Sequence, residues 1–272
     1  MTINCKGKLI DLSSPKVMGI LNLTPDSFYD GGKYKNEKEV LLQVEKMIEE
    51  GATFIDVGGY SSRPGAKHIS EEEELKRVVA TVSLILAEFP GILISIDTFR
   101  SRVAEETIRA GAAIINDISG GEMDENMFKK VAELQVPYIL MHMQGVPQSM
   151  QSNPNYNDTV KELIFYFSDK ISRLRELQVK DVVVDVGFGF GKSLENNYEL
   201  LKKLTLFSNL EVPILTGVSR KSMLYKPLGI TAIEALNATT VANTIALLNG
   251  TNILRVHDVK PAVEAIKVVS YL

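Results

Sequence analysis

The stretch DVVVDVGFGFGKS, residues 181–193, indicates the fold class of this chain. Val182, Val183 and Val184 form a continuous β-branched run, which is typical of a strand buried on both faces in a parallel sheet covered by helices. The strand ends on a carboxylate, Asp185, and a glycine-rich loop leads to Ser193, a residue type that caps helices. Because α/β folds place their sites at the carboxyl ends of such strands, the stretch predicts a functional site.

The glycine loop resembles nucleotide-binding motifs without matching them. Gly191, Lys192 and Ser193 supply the end of a Walker A loop, but the first glycine of that motif would fall on Val186. Glycine at every second position also differs from the dinucleotide fingerprint. A nucleotide loop is therefore disfavoured, and a turn that only joins strand to helix remains the simplest alternative.

Composition bounds the class of protein. The chain has 272 residues and a net charge of −4, which suits one barrel-sized domain over 1–272 and gives no reason to expect nucleic acid or a membrane as partner. Its single cysteine, Cys5, excludes an internal disulfide and a cysteine metal cluster. The start has no apolar signal segment and no run is long enough to span a membrane. We therefore expect a cytoplasmic protein.

Seven other segments have strand character and alternate with helical patterns along the chain. They are KVMGILN (16–22), TFIDV (53–57), ILISID (92–97), AAIIND (112–117), PYILMHM (137–143), PILTG (213–217) and NILRV (252–256). With residues 181–185 they give eight strands and eight helices, which predicts a single (β/α)₈ barrel, an α/β fold, after a polar N-terminal leader.

Polar residues follow nearly every predicted strand, and a barrel would gather them at one rim. They are Asn22, Asp56, Asp97, Asn116, Asp117, His142, Asp185, Lys221, Arg255 and His257. Any one of them could be a cap or a structural hydrogen-bonding group, and Asp117 and Asp258 are the best candidates for such roles. The set as a whole predicts a binding site.

The residue types at this rim favour two kinds of ligand. A buried carboxylate binds two parallel N–H donors of a flat polar heterocycle. Asp97 and Asp185 offer carboxylates of this kind, and Asn116 offers an amide. Arg63, Arg255 and His257 suit a phosphate, and Phe190 suits an apolar group. Serine-protease-like and zinc arrangements are not evident, because the chain lacks a nucleophile elbow and its three histidines are scattered.

Several motifs, in order from about residue 16 to residue 270, resemble those of the dihydropteroate synthase family. They are MGILNLTPDSF (18–28), DVGGYSSRPGA (56–66), SIDTFR, INDISGG, DVGFGFGK, GVSRKS and LRVHDV. The resemblance implies that 7,8-dihydropterin-6-ylmethyl diphosphate reacts with p-aminobenzoate to give 7,8-dihydropteroate and pyrophosphate, with Mg²⁺ as cofactor. It also implies a homodimer and sensitivity to sulfonamides.

The resemblance assigns roles to matching positions. The pterin would be held by Asp97, Asn116, Asp185 and Lys221. The diphosphate would be held by Asn22, Arg63, Arg255 and His257, with Asn22 also contacting Mg²⁺. The p-aminobenzoate pocket would contain Phe28, Ser62, Pro64, Phe190 and Ser222. The catalytic residues would be Asp97, Arg63, Lys221, Arg255 and His257.

Two positions depart from the commoner family pattern. Tyr60 stands where glutamate is frequent, and Ser62 where threonine is frequent. Ser62 keeps the hydroxyl and loses one methyl group beside the aryl pocket, worth about 0.8 kcal/mol if buried. Two rival interpretations remain: a pterin-binding paralogue without catalysis, and a methyltetrahydrofolate-dependent methyltransferase, which would not need Arg63 or a diphosphate site.

Overall fold

The computed structural model describes residues 1–23, 37–61, 68–145, 150 and 154–272, and these form the predicted (β/α)₈ barrel. The strands are β1 (Thr2–Cys5), β2 (Lys8–Asp11), β3 (Lys16–Asn22), β4 (Phe54–Gly58), β5 (Leu93–Asp97), β6 (Ile114–Asp117), β7 (Tyr138–Met141), β8 (Val182–Asp185), β9 (Ile214–Thr216) and β10 (Ile253–Val256). The helices are α1 (Glu37–Glu49), α2 (Glu71–Glu88), α3 (Ser101–Arg109), α4 (Met127–Leu134), α5 (Thr159–Glu176), α6 (Leu194–Lys202), α7 (Ser222–Tyr225), α8 (Leu236–Leu248) and α9 (Val259–Val269).

The eight strands from β3 to β10 are parallel and form a closed ring. Each pairs with the next along the chain, and β10 pairs with both β9 and β3. Closure brings all carboxyl strand ends to one mouth, as the alternating pattern predicts. No helix among the described residues is long and apolar enough to cross a membrane.

The polar N-terminal leader forms regular structure of its own. β1 and β2 form an antiparallel hairpin around Lys6 and Gly7, both at positive φ. Alternate hairpin side chains, among them Ile3 and Ile10, are buried against the first residues of the barrel strands. Their partners there include Phe54. Because only every second residue faces inward, each short strand looks polar in sequence although the hairpin closes one end of the barrel.

Two helix caps follow the predicted chemistry. The Ser70 Oγ accepts a hydrogen bond from the backbone N–H of Glu73 at 3.2 Å. Ser193 and Asn196 form a reciprocal capping box, with bonds of 3.0 and 3.2 Å. After Ser193 the chain forms α6 and then a 3₁₀ turn over Leu204–Leu210, and α8 begins at Leu236.

Candidate active site

The centre of the mouth is an arginine between two carboxylates. Arg255, on β10, donates from Nε to Asp56 Oδ2 at 2.6 Å and from Nη2 to Asp97 Oδ2 at 2.7 Å. Asp56 Oδ2 also accepts from Asn116 Nδ2 at 3.0 Å. Parallel pairing sets the positions, since Asp97 lies directly opposite Asn116 in the register of β5 and β6. Four strands therefore contribute to one buried polar network.

Burial and the neighbouring charges have opposite effects on the pKa values of Asp97 and Arg255 in this network. Burial raises the pKa of Asp97 to about 7, although the neighbouring Arg255 opposes that rise. Burial also disfavours the charged Arg255, but Asp56 and Asp97 raise its pKa above the ordinary value. Arg255 therefore remains a cation, and Asp97 is the carboxyl group whose charge changes near neutral pH.

A third carboxylate, Asp185 at the end of β8, lies near Lys221 in the loop after β9. Asp185 Oδ1 accepts from the Gly187 N–H at 2.8 Å. Lys221 Nζ donates to the Phe188 carbonyl at 2.5 Å and lies 4.7 Å from the centre of the Phe190 ring. A Cβ placed on Gly217 would be 3.8 Å from Asp185 Oδ2 and 4.0 Å from Lys221 Nζ, so the two groups face one point.

This pair is also perturbed by its surroundings. Burial raises the pKa of Asp185, and Lys221 opposes that rise. Burial lowers the pKa of Lys221 to about 8, and Asp185 opposes that fall. Shifted acids and bases at the mouth of a barrel are typical of a functional site.

The loop after β9 contains both residues that lie at the site and residues that support the fold. The Ser219 Oγ lies 3.2 Å from both the backbone nitrogen and Nδ1 of His257. Arg220, in the same loop, donates from Nε and Nη2 to Asp258 at 2.7 and 2.9 Å. Asp258 occupies the N-cap position of α9 but makes no side-chain cap bond, because its carboxylate binds Arg220.

The end of β3 contributes an amide oxygen to the same mouth. A Cβ on Gly58 would be 3.7 Å from Asn22 Oδ1 and 3.7 Å from Asp97 Oδ2, so these oxygens flank one point. The described residues hold no cluster of three or more His, Cys, Asp or Glu side chains for a metal. Mg²⁺ at this mouth would take few protein ligands, which is usual where phosphate and water supply the others.

Four predicted site residues, Phe28, Ser62, Arg63 and Pro64, lie outside the described residues. The others lie at the carboxyl ends of barrel strands or in the segments that follow them. Phe190 is half-buried beside Lys221, and Ser222 is exposed at the start of α7.

Two rim residues are structural. Asp117 accepts from the Ser119 hydroxyl and from Tyr138, both at 2.7 Å, as expected for a structural carboxylate. His142 lies 3.0 Å from the buried Lys192, and burial lowers its pKa to about 2, so its ring is neutral.

The structure assigns contacts to three residues whose roles the sequence left open. Asp56 is the shared acceptor of Asn116 and Arg255, and its only sequence signal is its place at a strand end. Tyr60 is 8% exposed; its hydroxyl lies 3.3 Å from His68 Nδ1 and its ring centre 5.0 Å from that of Phe99. Lys192, in the glycine motif, is fully enclosed rather than directed to a nucleotide.

A (β/α)₈ barrel with these groups at its carboxyl mouth is typical of a barrel enzyme that acts on a small polar molecule. Residues 18–257 match the family described as pterin binding enzyme, and the chain belongs to that family.

Relatives at high coverage agree with this membership. The dihydropteroate synthase of Escherichia coli strain K12 is 44% identical over 271 residues, which cover 99% of this chain and 95% of the relative. The crystal structure of a Yersinia pestis dihydropteroate synthase with a sulfonamide drug has a TM-score of 0.96 at 41% identity, covering 100% of this chain and 98% of that one. The Xanthomonas albilineans enzyme in complex with 7,8-dihydropteroate has a TM-score of 0.88 at 33% identity, with 100% and 98% covered. This protein is an enzyme of the transferase class that these relatives represent.

Proposed function

We propose that this protein is a dihydropteroate synthase of folate biosynthesis. It condenses 7,8-dihydropterin-6-ylmethyl diphosphate with p-aminobenzoate and releases 7,8-dihydropteroate and pyrophosphate. The observation that carries the proposal is the mouth of the barrel, where buried carboxylates and Lys221 face the Arg255 network. A heterocycle and an anionic leaving group are the two parts of a pterin diphosphate.

The pterin ring would lie against Asp97, Asn116, Asp185 and Lys221. A buried carboxylate accepts the two parallel N–H donors at the amino-pyrimidine edge of a pterin. Asp185 suits this role because Gly187 occupies only one of its oxygens, Oδ1, and Oδ2 faces the same point as Lys221. The ring would contact Phe190 on one side.

The chemical step would be a dissociative substitution. The bond between the pterin methylene carbon and the diphosphate oxygen breaks, and its electron pair leaves with pyrophosphate. The resulting cation is spread over the electron-rich ring, and the ionised Asp97 stabilises it. The amine lone pair of p-aminobenzoate forms the new C–N bond, and its nitrogen then loses a proton to pyrophosphate.

This step has its own test. Positional oxygen exchange within the bound diphosphate, measured without p-aminobenzoate, is expected if the C–O bond breaks before the amine attacks. Strict dependence of bond breaking on the amine would favour a concerted displacement.

Asn22, Arg63, Arg255 and His257 would hold the diphosphate. Asn22 Oδ1 is an oxygen ligand of the kind that Mg²⁺ prefers, and it lies beside the point where the leaving group would sit. Bound Mg²⁺ would neutralise charge on the leaving pyrophosphate. Arg255 would add a permanent cation, because Asp56 and Asp97 keep it charged.

The p-aminobenzoate pocket would combine Phe28, Ser62 and Pro64 with Phe190 and Ser222. Sulfonamides mimic p-aminobenzoate, and the Yersinia pestis relative forms a complex with such a drug. We therefore expect sulfonamides to compete with p-aminobenzoate in this protein as well.

Pyrophosphate release tests the proposal directly. The protein is incubated with the pterin diphosphate and Mg²⁺, with and without p-aminobenzoate. Release that requires the amine and is blocked by a sulfonamide would support the synthase. Tight pterin binding without release would favour a catalytically silent paralogue, and a folded protein that binds no pterin would contradict the proposal.

We also propose a homodimer in the cytoplasm. α8 exposes an apolar stripe one helical face wide, where Val241, Ile245 and Leu248 are 54%, 38% and 58% exposed. A second copy of this chain would cover the stripe. Sedimentation equilibrium should report a dimer that Val241→Lys weakens, while Leu42→Lys, on exposed α1, leaves it intact. A wild-type monomer would overturn this proposal.

A further inference from the structure

Lys192 is a buried lysine for which the proposed reaction has no use. It closes the GFGFGK motif after β8 and is 3% exposed. Its Nζ lies 2.9 Å from the Gly187 carbonyl, 3.0 Å from the Phe190 carbonyl and 3.2 Å from the His142 carbonyl. The fourth neighbour is His142 Nδ1 at 3.0 Å.

Such complete burial is unusual for a lysine, and a buried lysine needs hydrogen-bonding partners for its amino group. An amino group carries two N–H donors when neutral and three when protonated. Burial lowers the pKa of Lys192 well below its ordinary value, and its donors are taken up by three converging carbonyls, with His142 Nδ1 as a fourth neighbour. The surroundings of Lys192 are thus built from acceptors that belong to the loop and to the end of β7.

The segment between the two contacted loop carbonyls carries the contacts of the pterin site. The N–H of Gly187 holds Asp185, and the carbonyl of Phe188 holds Lys221. The ring of Phe190 lies under the same Lys221 nitrogen. Lys192 binds the carbonyls of Gly187 and Phe190, so it fixes both ends of this four-residue segment.

Packing gives the segment little freedom on its other side. Gly187 has a φ of +70°, and a Cβ there would lie 2.0 Å from the His142 carbonyl oxygen. The loop and the β7 end are therefore in direct contact, and Lys192 donates to carbonyls on both sides of that contact. A side chain without donors would remove the Lys192 bond to the buried His142 carbonyl, while the Gly187 carbonyl would keep only its bond from the Phe190 N–H at 3.1 Å.

We propose that Lys192 is a positioning residue for the pterin end of the site, which it acts on through Asp185, Lys221 and Phe190 and not by touching the substrate. The inference rests on the proposed function. It assigns to the lysine of a motif that resembles a phosphate loop the role of a buried hydrogen-bond donor that organises loop carbonyls.

The test compares two ligands in one set of variants. Lys192→Met removes the donors at similar volume, and Lys192→Gln keeps two N–H donors. Tyr156→Phe is the matched control, because it removes a 2.8 Å bond to the Gly191 carbonyl of the same loop outside the segment that holds Asp185 and Lys221. Calorimetry measures the dissociation constants of 6-hydroxymethyl-7,8-dihydropterin and of inorganic pyrophosphate with Mg²⁺, and thermal unfolding is recorded for each protein.

The pterin dissociation constant should rise by about 10- to 100-fold in Lys192→Met, since the two hydrogen bonds that fix the ends of the segment are lost. Lys192→Gln should recover part of that loss. Pyrophosphate affinity should change less than about threefold in both, and Tyr156→Phe should leave both ligands within the same limit.

Three results would overturn the inference. Unchanged pterin binding in a folded Lys192→Met would exclude positioning. Equal loss of both ligands would indicate a general structural role, as would failure of both Lys192 variants to fold. Absence of pterin binding by the wild-type protein would instead contradict the proposed function, so the two failures are distinguishable.

Discussion

The two ends of the barrel are built from the same strands and have opposite chemistry. At the amino end, Phe54, Ile114, Val183 and Ile253 pack under the N-terminal hairpin in one apolar cluster. At the carboxyl end, two residues further along the same strands, the side chains are Asp56, Asn116, Asp185 and Arg255. Because side chains alternate along a strand, residues two apart share a face. The inward face therefore changes from apolar to charged within one step.

The amino end of the barrel therefore contributes mainly to stability, and the carboxyl end contributes mainly to function. Burial of apolar surface at the amino end stabilises the fold by about 25 cal/mol per Å². The carboxyl end gathers buried carboxylates, which cost free energy unless they are paired. A substitution at the mouth should therefore reduce activity with little loss of stability, and one at the hairpin end should do the reverse.

The largest expected effect is at the mouth. Asp97→Asn removes the charge that would stabilise the cation, so kcat should fall by about 10²- to 10³-fold. The free energy of unfolding should change by less than about 1 kcal/mol, because burial already disfavours this carboxylate. Steady-state kinetics and urea unfolding measure the two quantities. A loss of stability without loss of kcat would contradict the expectation that residues at the mouth serve activity more than stability.

The complementary change is at the hairpin end. Phe54→Ala should lower the free energy of unfolding by about 3–5 kcal/mol, because Phe54 is fully buried under the hairpin. The kcat of the folded fraction should stay within about threefold of wild type. Leu9→Ala is the control, since Leu9 is 68% exposed on the same hairpin and should change stability by less than about 0.5 kcal/mol.

The smallest expected effect is the pH dependence of kcat/KM, which depends on the charges of Asp97 and Lys221 at the mouth. Asp97 has a pKa raised to about 7, so its negative charge is present above that pH and is lost as pH falls through it. Lys221 has a pKa lowered to about 8, so its positive charge is lost as pH rises through it. The profile of kcat/KM should be a bell that falls up to about tenfold per pH unit on each side.

Variants assign the two limbs of this profile. The acid limb should disappear in Asp97→Asn, and an acid limb near pH 4 in the wild type, the ordinary range of an aspartate, would show that Asp97 is not the group that titrates.

Much of the site could be predicted because parallel strands end at the same rim. The strand ends located Asp97, Asn116, Asp185 and Lys221 without knowledge of their contacts. The hydrogen-bond partners at the rim could not be predicted, because they lie far apart in the chain. Arg255 and Asp56, for example, are 199 residues apart. Arg220 illustrates the limit: it follows Ser219 in the loop after β9, and only the fold brings it to Asp258, 38 residues further along the chain.

The barrel, the polar rim and the family could be inferred from the chain alone, because strand periodicity and local motifs are properties of neighbouring residues. The position of Arg255 between Asp56 and Asp97, the closure of the barrel by the leader and the burial of Lys192 among loop carbonyls emerge only in the folded structure. Such pairings depend on distances across the closed barrel and on the exclusion of water there, and neither is a local property of the chain.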